Sequence, residues 1–249
     1  SILFYNGELD QVRIFNKALS SSEVATLYNE VACPSEISYN PITRDATNPF
    51  VDNTEKALYK FENNTTDSEG INNGSGVSLT YTAGYINQAA SFNGTSSYIY
   101  LNNVRYAFPF SISLWFKSTS TANQTFYTDL GGGRAIYFNL MPDGKVRQAA
   151  INSSDGFIPI YSDIAYNDGQ WHHGVAVFGS SKMSLYINGE IKAISAPFTY
   201  GSRSYGTNPS IGGSFSGGGI GTPLNGQLDQ IRIFNRELTP SDVLALYNE

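Results

Sequence analysis

A single cysteine, Cys33, in 249 residues excludes an intrachain disulfide framework. Histidine is almost as scarce, with two copies, so imidazole chemistry rests on His172 and His173 alone. Charge is thin as well: 14% of the residues carry it, and 15 basic side chains face 21 acidic ones for a net charge of −6. That balance argues against nucleic acid or an anionic membrane as partner, because either would call for clustered Lys and Arg. No run approaches the roughly 18 apolar residues of a membrane span, so no membrane insertion is expected. No stretch reads as a signal peptide either, and the compartment stays open on composition.

What the chain has instead is aromatic residues and glycine: 17 Tyr, 15 Phe and 24 Gly. That mixture favours strands joined by tight turns over long surface helices. A chain of this length can bury one good core, and all-β sandwiches reach this size as one domain.

The chain also repeats itself. Asn6–Glu30, NGELDQVRIFNKALSSSEVATLYNE, and Asn225–Glu249, NGQLDQIRIFNRELTPSDVLALYNE, are identical at 16 of 25 positions, 219 residues apart. Such an offset is too long for a solenoid unit and fits one whole all-β domain. Each copy reads as a strand followed by a short helix. In the second copy, alternation places Asp229, Ile231 and Ile233 on one strand face, with Leu228, Gln230, Arg232 and Phe234 on the other. Ser20 to Glu23 forms a capping box, and Thr239 to Asp242 is its variant with Pro240 at the first helical position. Val243, Leu246 and Tyr247 then share a helix face.

Residues 31–54 carry three prolines without sustained periodicity and read as a linker. Beyond it strands come at short intervals: KALYKFE, AASFNG into SYIYL, FSISLWFKS, TFYTDL, RAIYFNLM, VRQAAI, HHGVAVF and MSLYINGEIKAI. Asn188-Gly189 is a strong hairpin signal, and Pro142-Asp143-Gly144 marks a second turn. So many strands with one short C-terminal helix predict an all-β, two-sheet antiparallel sandwich.

Six of these segments carry a family resemblance. LYKFENNTTDSEG, GYINQAASFNGTSSYIYL, FSISLWFKS, DGQWHHGVAVF, LYINGE and NGQLDQIRIFNRELTPSDVLALYN follow one another across Ala57–Glu249. In order and spacing they resemble the laminin-G-like, concanavalin A-like jelly-roll family. The resemblance implies a jelly roll of two curved sheets over 55–249, usually extracellular, repeated in tandem and attached to larger proteins. Residues 1–30 then read as the last strand and helix of a preceding copy. Their apolar face (Val12, Ile14, Val24, Leu27) calls for a partner surface: a neighbouring repeat, or another protomer of the same protein.

For catalysis the sequence offers little. Glucanases of this fold carry a Glu-x-Asp-x-Glu strand motif, whereas here Glu8-Leu9-Asp10 lacks the third carboxylate and Gln227-Leu228-Asp229 also lacks the first. The resemblance makes His172 and His173 structural, and gives Trp115 and Trp171 core positions. Gly131 to Tyr137, GGGRAIY, is no phosphate loop, since no Gly-Lys-Ser/Thr follows.

A Ca²⁺ site is the better expectation. Asp229 ends a face expected to point at the core, and Glu62 and Asp67 lie in an oxygen-rich turn, FENNTTDSEG. The resemblance brings these segments together where first and last strands meet. Asp67 and Asp229 match family aspartates, but Gln230 stands where the family often has Glu. The alternative is that Asp67 caps a turn and Asp229 accepts backbone N–H bonds. For a glycan, the loop-borne candidates are Arg134, Tyr137, Arg203 and Tyr205.

Three function classes follow. One is a non-catalytic binding or adhesion module for a glycan or cell-surface ligand, on an extracellular protein, a cell surface or a virion. The second is an assembly repeat without its own ligand. The third is a glycoside-active enzyme.

Overall fold

The computed structural model describes residues 18–20, 54–68, 70–101, 107–131, 135–201, 209–216 and 219–249. The expectations for residues 1–30 and for the linker fall almost entirely outside them. All of them except 18–20 lie in the unit Arg44–Glu249.

Among these residues, strands make two large antiparallel sheets. The first runs β13 (Glu190–Ile194), β12 (Met183–Ile187), β11 (His172–Phe178), β6 (Phe110–Lys117), β17 (Asn225–Phe234), β4 (Gln88–Asn93) and β3 (Thr80–Ala83), with β1 (Glu55–Tyr59) also paired to β17. The second runs β10 (Phe157–Ala165), β9 (Lys145–Ile151), β8 (Ile136–Leu140), β7 (Gln124–Asp129), β14 (Ser210–Ile211), β5 (Tyr98–Leu101) and β2 (Gly74–Val77). A small hairpin pairs β15 (Ser214–Ser216) with β16 (Gly219–Gly221), and α1 (Pro240–Tyr247) follows the last strand. This is the expected jelly-roll sandwich with one short C-terminal helix.

Period-two alternation builds the core. Ile112, Leu114 and Phe116 of β6 face Phe126 of β7 and Ile136, Phe138 and Leu140 of β8, and all are fully buried. The Phe116 and Phe126 rings lie 4.6 Å apart, so the two sheets meet ring against ring. Each such side chain contributes about 1.5–3 kcal/mol by leaving water. Gln148 crosses the same core and donates from Nε2 to the Val177 carbonyl at 2.8 Å, tying β9 to β11.

The outer face of the first sheet is closed by α1. Val243 and Leu246 pack with Leu238 on Val175, Val177, Tyr186 and Phe234. Thr239 caps the helix with the reciprocal Thr239–Asp242 box, and Pro240 sits in its first turn.

One expected alternation fails. Strict period two puts Asp229 on a face with Ile231 and Ile233. Instead β17 bulges between Asp229 and Arg232, and Gln230 adopts φ 46°. The extra residue flips the register. Leu228, Ile231 and Ile233 all point to the core, whereas Asp229 pairs with Trp115 and Arg232 with Ser113, on the outer face. Asp229 is wholly buried, but under the Tyr85–Ile86 loop rather than between the sheets.

Candidate functional site

Two places concentrate chemistry. The first is the outer face of the second sheet. On β8, β9 and β10 the residues that alternate with the core row are Tyr137 and Asn139, then Arg147 and Ala149, then Phe157, Pro159 and Tyr161. Register aligns Tyr137, Ala149 and Pro159 in one row and Asn139, Arg147 and Tyr161 in the next. Ala149 contributes only a methyl group, which leaves room above it. The Arg147 guanidinium fills that room, with its Cζ 5.9 Å from the Tyr137 ring centre and 5.4 Å from that of Phe157. The two rings meet edge to face at 5.8 Å. The cation therefore sits against two aromatic rings, a geometry that stabilises it and fixes its direction.

A polar chain leads away from it. Arg147 Nη2 donates to Asn139 Oδ1 at 3.2 Å, and Asn139 Nδ2 donates to Thr125 Oγ1 at 3.0 Å. Thr125 meets Thr222 at 2.6 Å, and Thr222 meets Ser214 of the β15–β16 hairpin at 3.2 Å. Arg147 Nε is buried without a hydrogen-bond partner. Phe157 and Tyr161 stay 44% and 42% exposed, unusual for large rings and suited to stacking on a ligand. Beside Tyr161 opens a groove of about 500 Å³ lined by Met141, Pro142, Asp143, Lys145 and Tyr161. Its wall is the β8–β9 turn, where Gly144 holds φ 78° and a side chain would collide with Asn167. A smaller hollow of about 250 Å³ on the first sheet is lined by Ser91, Lys117, Thr119 and Gln227 among others, with no exposed ring.

The second place is the carboxylate corner formed by the chain leaving β1 and the bulge in the middle of β17. Asp229 Oδ1 accepts from the Gln230 N–H at 2.7 Å and Oδ2 from the Ile86 N–H at 2.9 Å. Burial pushes its carboxyl up to about 7, against the lowering effect of those bonds, and the Glu62 charge pushes the same way as burial. Glu62 Oε1 and both polar atoms of the Gln230 side chain are buried without a partner. The orphaned Glu62 and Gln230 oxygens are of the kind that a hard cation such as Ca²⁺ takes, while both Asp229 oxygens already accept backbone N–H bonds. Asp67 is committed elsewhere: Oδ1 accepts from Leu58 N–H at 2.9 Å and Oδ2 from Asn72 N–H at 3.1 Å, closing the turn after β1. Among the described residues no three His, Cys, Asp or Glu side chains gather as a metal cluster, so Asp67 is not brought to Glu62 and Asp229.

The two histidines have structural partners. His173 is buried, with Nε2 2.8 Å from Ser113 Oγ, and burial, aided by the Arg232 charge, lowers its pKa to about 3. His172 pairs with Asp168 at 2.9 Å. Arg232, fully buried, bridges Glu55 at 2.9 Å and Glu249 at 2.7 Å.

Of the residues expected to bind a ligand, Tyr137 lies on the aromatic face, while Arg134, Arg203 and Tyr205 fall outside the described residues. The sequence pattern alone does not single out Arg147, Phe157 or Tyr161. Their signal was the row Phe157-x-Pro159-x-Tyr161, an aromatic alternation interrupted by a proline.

A family model described as the concanavalin A-like lectin/glucanases superfamily matches residues 92–244, more than half of the chain. No curated protein matches in sequence. Among solved structures, domain 4 of AbnA, a GH43 extracellular arabinanase from Geobacillus stearothermophilus in complex with arabinotriose, is similar over 78% of this chain and 98% of its own, with 26% identity and a TM-score of 0.63. The receptor-binding domain of botulinum neurotoxin C/D mosaic serotype is similar over 80% of this chain and 52% of its own, at 16% identity and TM-score 0.62. The binding domain of Paraclostridial Mosquitocidal Protein 1 is similar over 77% and 51%, at 18% identity and TM-score 0.61. The last two likenesses are of fold alone.

Proposed function

The chain belongs to the concanavalin A-like lectin/glucanases superfamily, and from that premise we propose that its sandwich is a non-catalytic module that binds a glycan on an extracellular, cell-surface or virion-surface protein. The ligand face is the outer face of the second sheet. One observation carries the reading: Tyr137, Arg147, Phe157 and Tyr161 form an ordered aromatic and cationic platform beside a groove of ligand size. The near full-length likeness to an arabinanase domain seen with arabinotriose supports it. Rings that stack on sugar faces and amide or guanidinium groups that bond hydroxyls are the means such a surface offers. Against catalysis, Asp229 is buried and spends both oxygens on backbone N–H groups, which leaves it neither nucleophile nor accessible acid.

Ca²⁺ belongs to the same proposal as a structural ion at Glu62, Asp229 and Gln230. When bound there it would supply positive charge to orphaned oxygens and join the end of β1 to β17. Glycan-array screening followed by calorimetric titration of the best ligand tests the binding reading. Absence of binding to any glycan would overturn it.

The duplicated segment favours a second reading, assembly with neighbouring repeats or protomers. The residues that lock β17 and α1 in place, Asp229, Arg232, Phe234, Val243, Leu246 and Glu249, recur as Asp10, Arg13, Phe15, Val24, Leu27 and Glu30. Light scattering separates the two readings: a concentration-dependent oligomer without glycan binding would select assembly.

A further inference from the structure

We infer that the ligand of the aromatic face is an anionic sugar, its carboxylate or sulfate ester taken by Arg147; this rests on the glycan-binding reading above and narrows it to a ligand class.

Three features of the face converge. Arg147 has no carboxylate partner among the described residues, although the chain carries more acid than base. Its one side-chain hydrogen bond goes from Nη2 to a neutral amide oxygen, that of Asn139, so no charged acceptor among the described residues is spent on it. A neutral sugar could use one such donor, but a planar guanidinium fork matches two oxygens of one anionic group. The cation is also held in advance: the rings of Tyr137 and Phe157 flank it, and the Asn139–Thr125–Thr222 chain braces the amide that it touches. Little side-chain entropy remains to be lost when an anion arrives.

The neighbouring groups extend the pattern. Register places Tyr161 beside Arg147, and the groove beyond it carries Lys145, a second cation. Of the carboxylates close by, Asp143 shares the groove lining with Lys145 and points Oδ1 at the Lys145 backbone N–H at 3.1 Å, and Asp163 faces Lys192 on the neighbouring sheet at 3.9 Å. A sugar ring stacked on Tyr161 or Phe157 therefore has a fixed cation within the same patch. Free phosphate or sulfate would use the fork but not the rings, so the rings argue for an anionic group carried on a sugar.

The test is an array of uronic-acid and sulfated glycans, each printed beside its methyl-esterified or desulfated twin, probed with the full chain. Free acids or sulfate esters should bind about tenfold or more above their neutral twins, the scale of one charge-assisted bidentate contact. Which arm responds names the anion. Arg147→Met should remove that preference, while Arg147→Lys keeps charge without the fork and should retain only part of it. If Arg147→Met fails to fold, the acid-to-ester ratio of the unaltered protein still decides. Binding of neutral twins as tight as that of the anions overturns this inference and leaves the glycan-binding reading standing. Binding of no glycan overturns both.

Discussion

Replacing Asp229 by Asn probes the carboxylate corner most sharply. The carboxyl is pushed from 3.8 to about 7 by burial, with the Glu62 charge adding to the effect. The native fold therefore holds a proton that the unfolded chain releases near pH 4. Stability from this group is complete below about pH 4, declines as pH rises, and is gone above about pH 7. About three pH units at 1.36 kcal/mol each amount to about 4 kcal/mol, an order-of-magnitude figure. For a domain of this size that corresponds to roughly 10 °C in Tm. Asparagine keeps one acceptor for the Ile86 and Gln230 N–H groups and leaves the other unsatisfied, a cost of about 1–3 kcal/mol. In chelator, the variant should thus melt below the wild type at pH 4 and level with it or above it at pH 8. Ca²⁺ at pH 8 should raise the wild-type Tm by taking the place of the proton, and leave Asp229→Asn unmoved. Thermal unfolding from pH 4 to 8, with and without Ca²⁺, measures all of this. Parallel Tm curves for the two proteins in chelator would refute the assigned environment, and a wild type indifferent to Ca²⁺ would refute the metal.

Other perturbations give separate checks. Arg232→Met strands the buried Glu55 carboxylate and should cost about 3–5 kcal/mol in urea unfolding, while adding Glu55→Gln and Glu249→Gln should restore most of it. Thr239→Ala removes the acceptor for the Asp242 N–H and should cost about 1 kcal/mol by the same measurement. Gly84→Ala would bring a methyl to 2.6 Å from Asp229 Oδ2 and from the Gln88 backbone. A loss of about 1–3 kcal/mol is expected there, with differential scanning calorimetry as readout.

The parts of the fold written in local chemistry were legible from sequence. Asn188 and Gly189 adopt φ 54° and 80°, as a tight hairpin turn needs, and the Thr239–Asp242 box caps the helix. The alternating segments from β4 to β9 lie close to where the apolar pattern put them. What stayed hidden depends on neighbours. The Phe157–Ala165 strand carries Pro159 and Asp163, which break a strand pattern, yet β10 is a sheet edge where a missing N–H is tolerated. The Gly74–Val77 strand, GSGV, has almost no side chains to signal anything. The bulge at Gln230 has no local marker, so strict alternation puts Asp229 on the wrong face, and a sequence pattern that hides β10 hides Phe157 and Tyr161 with it. Tyr137 is legible as a candidate only as a residue of the glycine-rich loop, whereas it lies on strand β8 itself. Its companions Arg147 and Phe157 become visible only when the register of three strands is known.

The most direct measurement compares calorimetric titrations of the best array glycan into the unaltered chain, Tyr161→Ala and Lys117→Ala. Tyr161 is an exposed ring on the outer face of the second sheet, and Lys117 lines the hollow on the first. Truncating a stacking ring should weaken binding about tenfold or more without moving the Tm. Lys117→Ala should bind as the unaltered chain does. Unchanged affinity in Tyr161→Ala, with binding lost in Lys117→Ala, would place the ligand on the other sheet and contradict the assignment.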